Sequence, residues 1–384
     1  MHALDGVTVL SLEQAVAAPL ATRHLADLGA RVIKVERPDE GDFARGYDGA
    51  VRGMASHFVW LNRGKESVAL DLKSERGREA LTTLLGGADV FLQNLAPGAV
   101  ARLGFGADEL MACHPELVTV DMSGYGSSGP YHDKRAYDLL IQGETGLASV
   151  TGTPGSPAKT GIPIADIGAG MYAFSAVLAA LLRRARGGGG ARIEVSMFDA
   201  VAEWMGHPLH TTKYTGTPPA RSALGHPSIV PYDAYPTADG PDLLIGVQND
   251  RQWRKLARDV LGRPDLAEHP EFATNLARCR NRATVDATVA EATRTLRTEP
   301  LVRQLDEAGI GNAALNSVHG LVDHPQLAAR DRWRTVETPA GPVESVLPPI
   351  TFGDVEARMG PVPALGEHTR AVLAEFGAGD GEER

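Results

Sequence analysis

The segment from residue 7 to residue 36, VTVLSLEQAVAAPLATRHLADLGARVIKVE, decides the fold class. Its two apolar runs, Val7–Leu12 and Arg31–Glu36, predict buried strands, and Pro19–Leu28 between them predicts a helix. Gly29 is typical of a helix end, because glycine adopts a left-handed backbone without strain. The segment therefore predicts a βαβ unit with two parallel strands.

Further apolar runs predict that this unit continues into a mostly parallel α/β sheet. They are Ser67–Leu72, Val90–Leu92 and Leu117–Met122, with the helical stretch Ser74–Leu85 among them. A stretch rich in Thr, Pro, Gly and Ser, residues 211 to 231, marks a domain crossing. Beyond it, Tyr232–Pro236 and Leu243–Val247 predict a strand pair, and several amphipathic helices follow.

Composition and charge narrow the class of protein. The chain has 384 residues, 43% of them hydrophobic, and a formal net charge of -10. This length predicts two domains, and the scattered acidic charge argues against a nucleic-acid partner. Cys113 and Cys279 lie far apart, so neither a disulfide framework nor a zinc spacing is present. Since we find neither a secretory leader nor an apolar run long enough to span a bilayer, we expect a cytoplasmic protein without a membrane partner.

Two motifs suggest cofactors but do not predict them. Gly124–Gly129 has the glycine spacing of a dinucleotide-binding loop, yet a helix must begin on its last glycine, and Pro130–Lys134 looks like irregular loop. His207 and His210 have no nearby cysteine or acidic cluster that would complete a metal site. We therefore expect no nicotinamide, flavin or metal cofactor.

Asp166 is the strongest catalytic candidate. It follows an extended segment and precedes Ile167–Gly170, where small residues begin an apolar helix. Taken locally, the pattern favours a helix N-cap, since aspartate is among the commonest caps. The same position also suits a carboxylate nucleophile, because a helix N-terminus favours the ionised form and small neighbours would let a bulky thioester approach.

Segments along nearly the whole chain carry a family resemblance. They are Leu25–Ala30, Val32–Pro38, Asn62–Lys65, Leu70–Lys73, Gln93-Asn94, Pro97-Gly98, Arg102–Gly106, Gly124–Pro130, Ala136–Asp138 and the Asp166 segment. In order and spacing, they resemble the family III CoA-transferases. That group includes formyl-CoA and carnitine CoA-transferases and, on a shared fold, alpha-methylacyl-CoA racemases.

The resemblance implies a domain arrangement and a ligand. Residues 1–210 would form a large Rossmann-like CoA-binding domain, 211–225 a linker, 226–320 a small α+β domain, and 321–384 a C-terminal segment returning to the large domain. Two copies would form an interlocked homodimer. Coenzyme A or acyl-CoA would bind as a substrate, with no tightly bound cofactor. The implied CoA contacts are Val16, Ala17, Arg37, Leu72, Lys73, Asn94, Leu95, Arg102 and Arg135.

The resemblance also implies a covalent mechanism. Asp166 would attack the donor thioester to give a mixed anhydride, and the released thiolate would convert this into an aspartyl-CoA thioester. Mobile backbone around Gly225 and His226 would shield the anhydride and donate N–H groups. A racemase places a histidine where this chain has Tyr137, and a phenol is a poor proton acceptor at neutral pH, so transfer is favoured. Asp138 would orient the site.

The sequence leaves the choice of substrate and two alternative functions open. Gly41–Arg45, Ser56–Trp60, Gly225–Tyr232 and His324–Arg330 look like the branch that uses succinyl-, mesaconyl-, itaconyl-, citramalyl- or malyl-CoA. A second substrate carboxylate would need a cation, for which Arg45 and Arg52 are candidates, although both also suit solvated loop charges. The alternative functions are a 2-methylacyl-CoA racemase or epimerase and a non-catalytic CoA-binding protein.

Overall fold

The structure, a computed structural model, describes residues 1–378 and divides into two compact units. The first comprises Met1–Ala148, Lys159–Leu209 and the chain from Leu327 onward, and the second comprises Ser149–Ala158 and His210–Gln326. Residues 149–158, predicted in the large domain, thus belong to the second unit, and the predicted linker 211–225 is part of the same unit as 226–320. Residues 379–384, the end of the predicted C-terminal segment, lie outside the described residues.

The strands and helices are numbered along the chain. The strands are β1 (Thr8–Leu12), β2 (Arg31–Glu36), β3 (Lys65–Ala69), β4 (Val90–Gln93), β5 (Val118–Ser123), β6 (Gly152–Thr153), β7 (Ser156–Pro157), β8 (Ala191–Ser196), β9 (Tyr232–Tyr235), β10 (Leu243–Gly246), β11 (Gly311–Ala314), β12 (Trp333–Val336) and β13 (Val343–Val346). The helices are α1 (Ala17–Asp27), α2 (Ser56–Leu61), α3 (Glu75–Leu85), α4 (Ala99–Arg102), α5 (Ala107–Cys113), α6 (Asp138–Glu144), α7 (Leu147–Val150), α8 (Ile164–Ala185), α9 (Met197–Trp204), α10 (Gly206–Thr215), α11 (Asp250–Lys255), α12 (Pro264–Ala267), α13 (Asn275–Arg280), α14 (Arg282–Thr293), α15 (Thr298–Ala308), α16 (Val318–Val322), α17 (Pro325–Ala329) and α18 (Thr369–Phe376). A 3₁₀ turn spans Phe43–Gly46, and a π-helical turn spans Leu256–Val260.

The first unit is built on a six-stranded sheet in the order β3-β2-β1-β4-β5-β8. All of its strand pairs are parallel, which confirms the predicted βαβ unit and the parallel α/β sheet. Strand β3 is displaced toward the N-terminus of its predicted range, Ser67–Leu72. Leu70 and Leu72 lie beyond the end of the strand but pack into the core. The apolar run is therefore longer than the segment that is hydrogen-bonded in the sheet.

The two faces of this sheet have different environments. On one face, Leu10, Ile33 and Val68 pack against the apolar sides of α3 and α18. Helix α18 is tied to β3 by the Thr369 hydroxyl, which accepts from the Ala69 N–H at 2.9 Å. Helices α1 and α8 pack closely on each other, and α1 also contacts β2. The order of the strands reverses direction between β1 and β4, and in such sheets ligands bind beyond the carboxyl ends of these two strands.

Helix α8 corrects one prediction. It has 22 residues with a mean hydropathy of 1.7 over its most apolar window, so by length and composition it could cross a membrane, contrary to the sequence analysis. Its buried residues recur at helical spacing along one face, at 165, 168, 169, 173, 177 and 180. This packed face is typical of a core helix, which passes the same test of length and composition.

The second unit is α+β. Strands β9, β10 and β11 form an antiparallel sheet in the order β11-β10-β9, which confirms the predicted strand pair. Its core contains the fully buried side chains of Ile245, Trp253 and Leu305. The short hairpin of β6 and β7 belongs to this unit, where the Gly152 carbonyl accepts from the Ala223 N–H at 3.0 Å.

Candidate active site

Asp166 lies in the first turn of α8, as its third residue. The N-cap is Pro163, so the local interpretation of Asp166 as the cap is wrong. The capping acceptor is Asp138, whose Oδ1 accepts from the Ala165 N–H at 2.8 Å and from the Asp166 N–H at 3.4 Å. Asp138 Oδ2 accepts from Gln142 at 2.6 Å, which fixes the orientation of this carboxylate. Among residues 1–378, none donates a hydrogen bond to the carboxylate of Asp166.

Burial and the neighbouring charge of Asp138 raise the pKa of Asp166 to about 7. The expectation that the helix N-terminus keeps this carboxylate ionised is therefore wrong, because Asp138 has taken the N–H groups that would have stabilised it. Near neutral pH, both the acid and the carboxylate are populated. A perturbed carboxyl group of this kind is typical of functional sites.

The small residues after Asp166 serve packing within the protein. A Cβ added at Gly168 would lie 2.9 Å from the Trp204 ring, and one added at Gly170 would lie 2.5 Å from the carbonyl oxygen of Ala17. Both distances are shorter than a Cβ can tolerate. These two glycines therefore make room for α9 and α1, and not for a thioester as the sequence suggested.

Tyr47 is a site residue that the sequence analysis missed. Its pKa is raised by burial and by the nearby charges of Asp42 and Asp166, with a further contribution from Tyr137. Tyr47, Tyr137 and Asp166 are thus close enough to interact. The only sequence signal was the position of Tyr47 just after the Gly41–Arg45 segment.

An aromatic cluster continues from Tyr47. The His57 ring lies 5.7 Å from that of Tyr47 and 6.4 Å from that of Trp60. Trp60 and Ile167, the residue after Asp166, pack against the same small core cluster. The residue after Asp166 thus packs in the same cluster as Trp60, at the end of the aromatic series that begins at Tyr47.

The crevice between β1 and β4 brings several predicted CoA contacts together. Val16 and Ala17 are buried at the start of α1, and Asn94 and Leu95 follow β4. The Asn94 side chain accepts from the Gln14 N–H at 2.8 Å and donates to the Gln14 carbonyl at 2.9 Å. Asn94 therefore joins the two loops of the crevice, and both its amide oxygen and its amide nitrogen bond to the backbone of Gln14.

The predicted phosphate-binding cations are exposed at the surface. Arg37 donates to Glu40 at 3.0 Å and lies over the Phe43 ring at 5.6 Å. Arg102 donates to the Pro97 carbonyl at 3.3 Å. The side chains of Lys73 and Arg135 make no ion pair within the described chain. Leu72 packs against the core instead.

The two candidate cations for a substrate carboxylate differ sharply. Arg45 donates to both oxygens of Glu36, at 2.8 and 2.7 Å, and lies 3.8 Å over the Phe58 ring. Although burial alone would raise the pKa of Glu36, Arg45 lowers it to about 2. Arg45 is therefore an internal partner, which corrects its assignment as a substrate ligand. Arg52 is exposed, and no hydrogen bond engages its guanidinium within residues 1–378.

Gly225 and His226 lie in the second unit. Gly225 donates to the Ser222 carbonyl at 2.8 Å, and a Cβ added to it would lie 2.7 Å from the Asp233 carboxylate. His226 stacks on Tyr232 at 5.4 Å, and its Nδ1 accepts from the Ser228 N–H at 3.1 Å. An accepting Nδ1 corresponds to the tautomer with its proton on Nε2. Hydrogen bonds hold this segment, which was predicted to be mobile.

The suspected cofactor motifs give no binding geometry. After β5, the chain runs through turns, and no helix begins until Asp138, so Gly124–Gly129 lacks the helix that a dinucleotide loop requires. Within residues 1–378, no group of three or more His, Cys, Asp or Glu side chains is arranged to hold a metal ion.

A parallel sheet with a crevice at its switch point and a half-buried carboxyl group on α8 is typical of a Rossmann-like α/β enzyme. The family model described as CoA-transferase family III matches residues 4–369. This chain belongs to that family and is a CoA-transferase, as the sequence analysis predicted.

Individual proteins support the assignment. The succinate–glutarate CoA-transferase of Agrobacterium fabrum is 34% identical, over 97% of this chain and 95% of its own. The acetyl-CoA:oxalate CoA-transferase of Acetobacter aceti is 36% identical, over 97% of this chain and 96% of its own. The crystal structure of a CAIB/BAIF family protein from Brucella suis superposes with a TM-score of 0.84 at 35% identity, covering 98% of this chain and 99% of that one.

Proposed function

We propose that this enzyme moves CoA between a dicarboxylic acyl-CoA such as succinyl-CoA and a C4 or C5 dicarboxylate, such as mesaconate, itaconate, citramalate or malate. The observation that carries the proposal is the half-buried carboxyl group of Asp166, whose pKa is raised to about 7 and whose oxygens accept no hydrogen bond from the described residues. Similar chains named for succinate, glutarate and oxalate support a dicarboxylate substrate.

In the proposed mechanism, Asp166 is the covalent catalyst. Its carboxylate attacks the thioester carbonyl, the C–S bond breaks, and an acyl-aspartyl anhydride and CoA thiolate form. The thiolate then attacks the aspartyl carbonyl, releases the donor carboxylate and leaves an aspartyl-CoA thioester. An acceptor carboxylate repeats the two steps in reverse. Each step exchanges one acyl bond for another, so the sequence needs no external energy source.

Other residues would bind and orient the substrates. Arg37, Lys73, Arg102 and Arg135 are exposed cations that suit the phosphates of CoA, beside Val16 and Ala17 in the crevice. Asp138 would position Asp166 through the first turn of α8. Arg52 is the remaining cation for the second carboxylate of the substrate.

The racemase alternative lacks support at Tyr137. Moving an alpha proton needs a base that accepts protons near neutral pH, whereas phenols ionise near pH 10. Tyr137 is the N-cap of α6 and is 64% exposed. A non-catalytic CoA-binding role would leave the perturbed pKa of Asp166 without a purpose.

We also propose a cytoplasmic homodimer. Apolar side chains remain exposed on the first unit, and patches of this kind commonly mark protein interfaces. They include Leu139, Leu140, Ile162, Leu182 and Trp204, all of which are between 45% and 57% exposed. The interlocked arrangement of the family would cover such a surface with a second copy.

A substrate panel tests the function. With succinyl-CoA and a series of C4 and C5 dicarboxylates, we expect a new acyl-CoA to form without ATP, detected by mass spectrometry. Arg52→Gln should raise the KM for the dicarboxylate about 10-fold while the KM for acyl-CoA stays within about 2-fold, because only one substrate carboxylate loses a cation. Epimerisation of a 2-methylacyl-CoA without transfer would favour the racemase, and CoA binding without either reaction would favour the binding protein.

The pH profile tests the state of Asp166. Because the attacking form is the carboxylate, kcat/KM should rise with pH through about 7 and then level off. Asp138→Asn keeps an oxygen that can accept from the Ala165 N–H but removes the negative charge, so the midpoint should move to lower pH. A midpoint that stays in place or rises in this variant would contradict the influence of Asp138.

A further inference from the structure

A cluster of charged side chains is buried between the sheet and the start of α1. Lys65 donates to Glu13 at 2.7 Å, and Lys34 donates to Asp42 at 2.5 Å and lies 3.5 Å from Glu13. All four side chains are fully buried. Asn62 accepts from both lysines, at 3.0 and 3.1 Å, and links the two pairs.

The cluster is electrically balanced. Two cations, Lys34 and Lys65, face two anions, Glu13 and Asp42, and the adjacent Glu36 is paired with Arg45. Although burial alone would lower the pKa of Lys34, Asp42 and Glu13 raise it, so the ammonium stays charged. Buried ion pairs often contribute little net stability, because desolvation offsets their attraction.

Asp42 connects the cluster to the turn between β1 and α1. Its Oδ1 accepts from the Ala15 N–H at 2.9 Å, while Oδ2 accepts from Lys34. Ala15 has a φ of 63°, a left-handed conformation that is strained for a residue with a Cβ. Such a conformation persists only where neighbouring groups hold it. Asn94 holds Gln14 on the other side of the same turn.

The backbone of this turn is connected both to the crevice proposed for CoA and to helix α8, which carries Asp166. Val16 and Ala17 follow Ala15 directly and line the crevice proposed for CoA. The Ala17 carbonyl lies against Gly170, on the helix whose first turn carries Asp166. A change in the Ala15 backbone would therefore move the CoA-binding residues and the support of α8 together.

We propose that Asp42 is a positioning residue for CoA binding, which holds Ala15 in its left-handed conformation from a base of buried lysines. This role rests on the proposed function, since it concerns the same crevice. Asp42 touches no reacting atom; it acts through the Ala15 N–H. The Asp42 carboxylate accepts from three donors, which are the Ala15 N–H, the Lys34 ammonium and the Ala44 N–H. An asparagine in its place would have only one acceptor oxygen for these three donors.

Asp42→Asn is the first test. The new amide must point its N–H₂ group either at Lys34 or at the Ala15 N–H, where it cannot accept a hydrogen bond. We therefore expect the dissociation constant for CoA, measured by calorimetry, to rise about 10-fold. The KM for succinyl-CoA should rise in parallel. The control is Asp27→Asn, which removes a buried carboxylate from its bidentate pair with Arg63 at the far end of α1. Its CoA affinity should change less than about 2-fold.

A rescue separates positioning from general support of the fold. Glycine adopts the left-handed conformation without strain, so Ala15→Gly in the Asp42→Asn background should restore the CoA dissociation constant to within about 3-fold of the original. Failure of this rescue in a folded double variant would overturn the proposal. So would an unchanged CoA affinity in folded Asp42→Asn.

A second variant carries the test if Asp42→Asn does not fold. Ala15→Val leaves every buried charge in place but disfavours the left-handed conformation, because its side chain is β-branched. We expect weaker CoA binding with a normal circular dichroism spectrum, and unchanged affinity would overturn the proposal. Failure of the proposed function is distinguishable, because then the unaltered protein itself would bind CoA without transferring it.

Discussion

Asp166→Asn should reduce the rate of CoA transfer roughly 10³-fold or more, with the fold retained. An amide cannot form the acyl anhydride, so the covalent route is lost while substrate binding remains. The measurement is kcat with succinyl-CoA and the preferred acceptor acid. In the unaltered enzyme, hydroxylamine added during turnover should trap Asp166 as a hydroxamate, visible by peptide mass spectrometry.

Asp199→Asn is the matched control for this variant. Asp199 is also the third residue of a helix, α9, but it is exposed. The two substitutions are therefore identical in chemistry and in helical position. We expect Asp199→Asn to keep kcat within about 2-fold. Transfer at the normal rate by Asp166→Asn would eliminate Asp166 as the nucleophile.

Gly170→Ala should destabilise the protein by about 1–3 kcal/mol, although alanine is the better helix former. The added methyl group would lie 2.5 Å from the backbone carbonyl of Ala17, which cannot rotate away. Helix α8 would have to separate from α1. Urea or thermal unfolding, followed by circular dichroism, measures the change in the free energy of unfolding.

Gly143→Ala gives the opposite expectation. Gly143 lies in α6, and an added Cβ would meet no atom within 4 Å. Alanine should therefore stabilise the protein by about 0.5–1 kcal/mol, through its higher helix propensity. Stabilisation by Gly170→Ala, of the kind expected for Gly143→Ala, would contradict close packing at Gly170.

The sequence predicted the parts of the fold that depend on local periodicity. Strand β2 has the predicted bounds Arg31–Glu36, and helix α3, Glu75–Leu85, fills the predicted helical stretch Ser74–Leu85 except for its first residue. The bounds of these elements follow from the spacing of apolar residues within each segment, and contacts with other segments do not shift them. The family was also recognisable, because short segments in a fixed order are more specific together than any one of them.

Features that depend on distant contacts could not be predicted. The cap of α8 comes from Asp138, and Arg45 is paired with Glu36 on another element, so neither partner lies within the local pattern of the residue concerned. The hairpin at 149–158 belongs to the second unit through contacts such as that of Arg221 with Thr153, at 3.0 Å. Only the folded chain reveals such pairings.

The division of the first unit along the chain affects the order in which the protein can be completed during translation. The second unit has its whole core between residues 230 and 310, whereas the first unit includes α18, which contributes Val372 and Leu373 to its own core. Domains generally fold as units while synthesis proceeds from the N-terminus. The core of the second unit is therefore fully synthesised first. The core of the first unit, to which the sheet strands and α3 contribute, is complete only when α18 has left the ribosome.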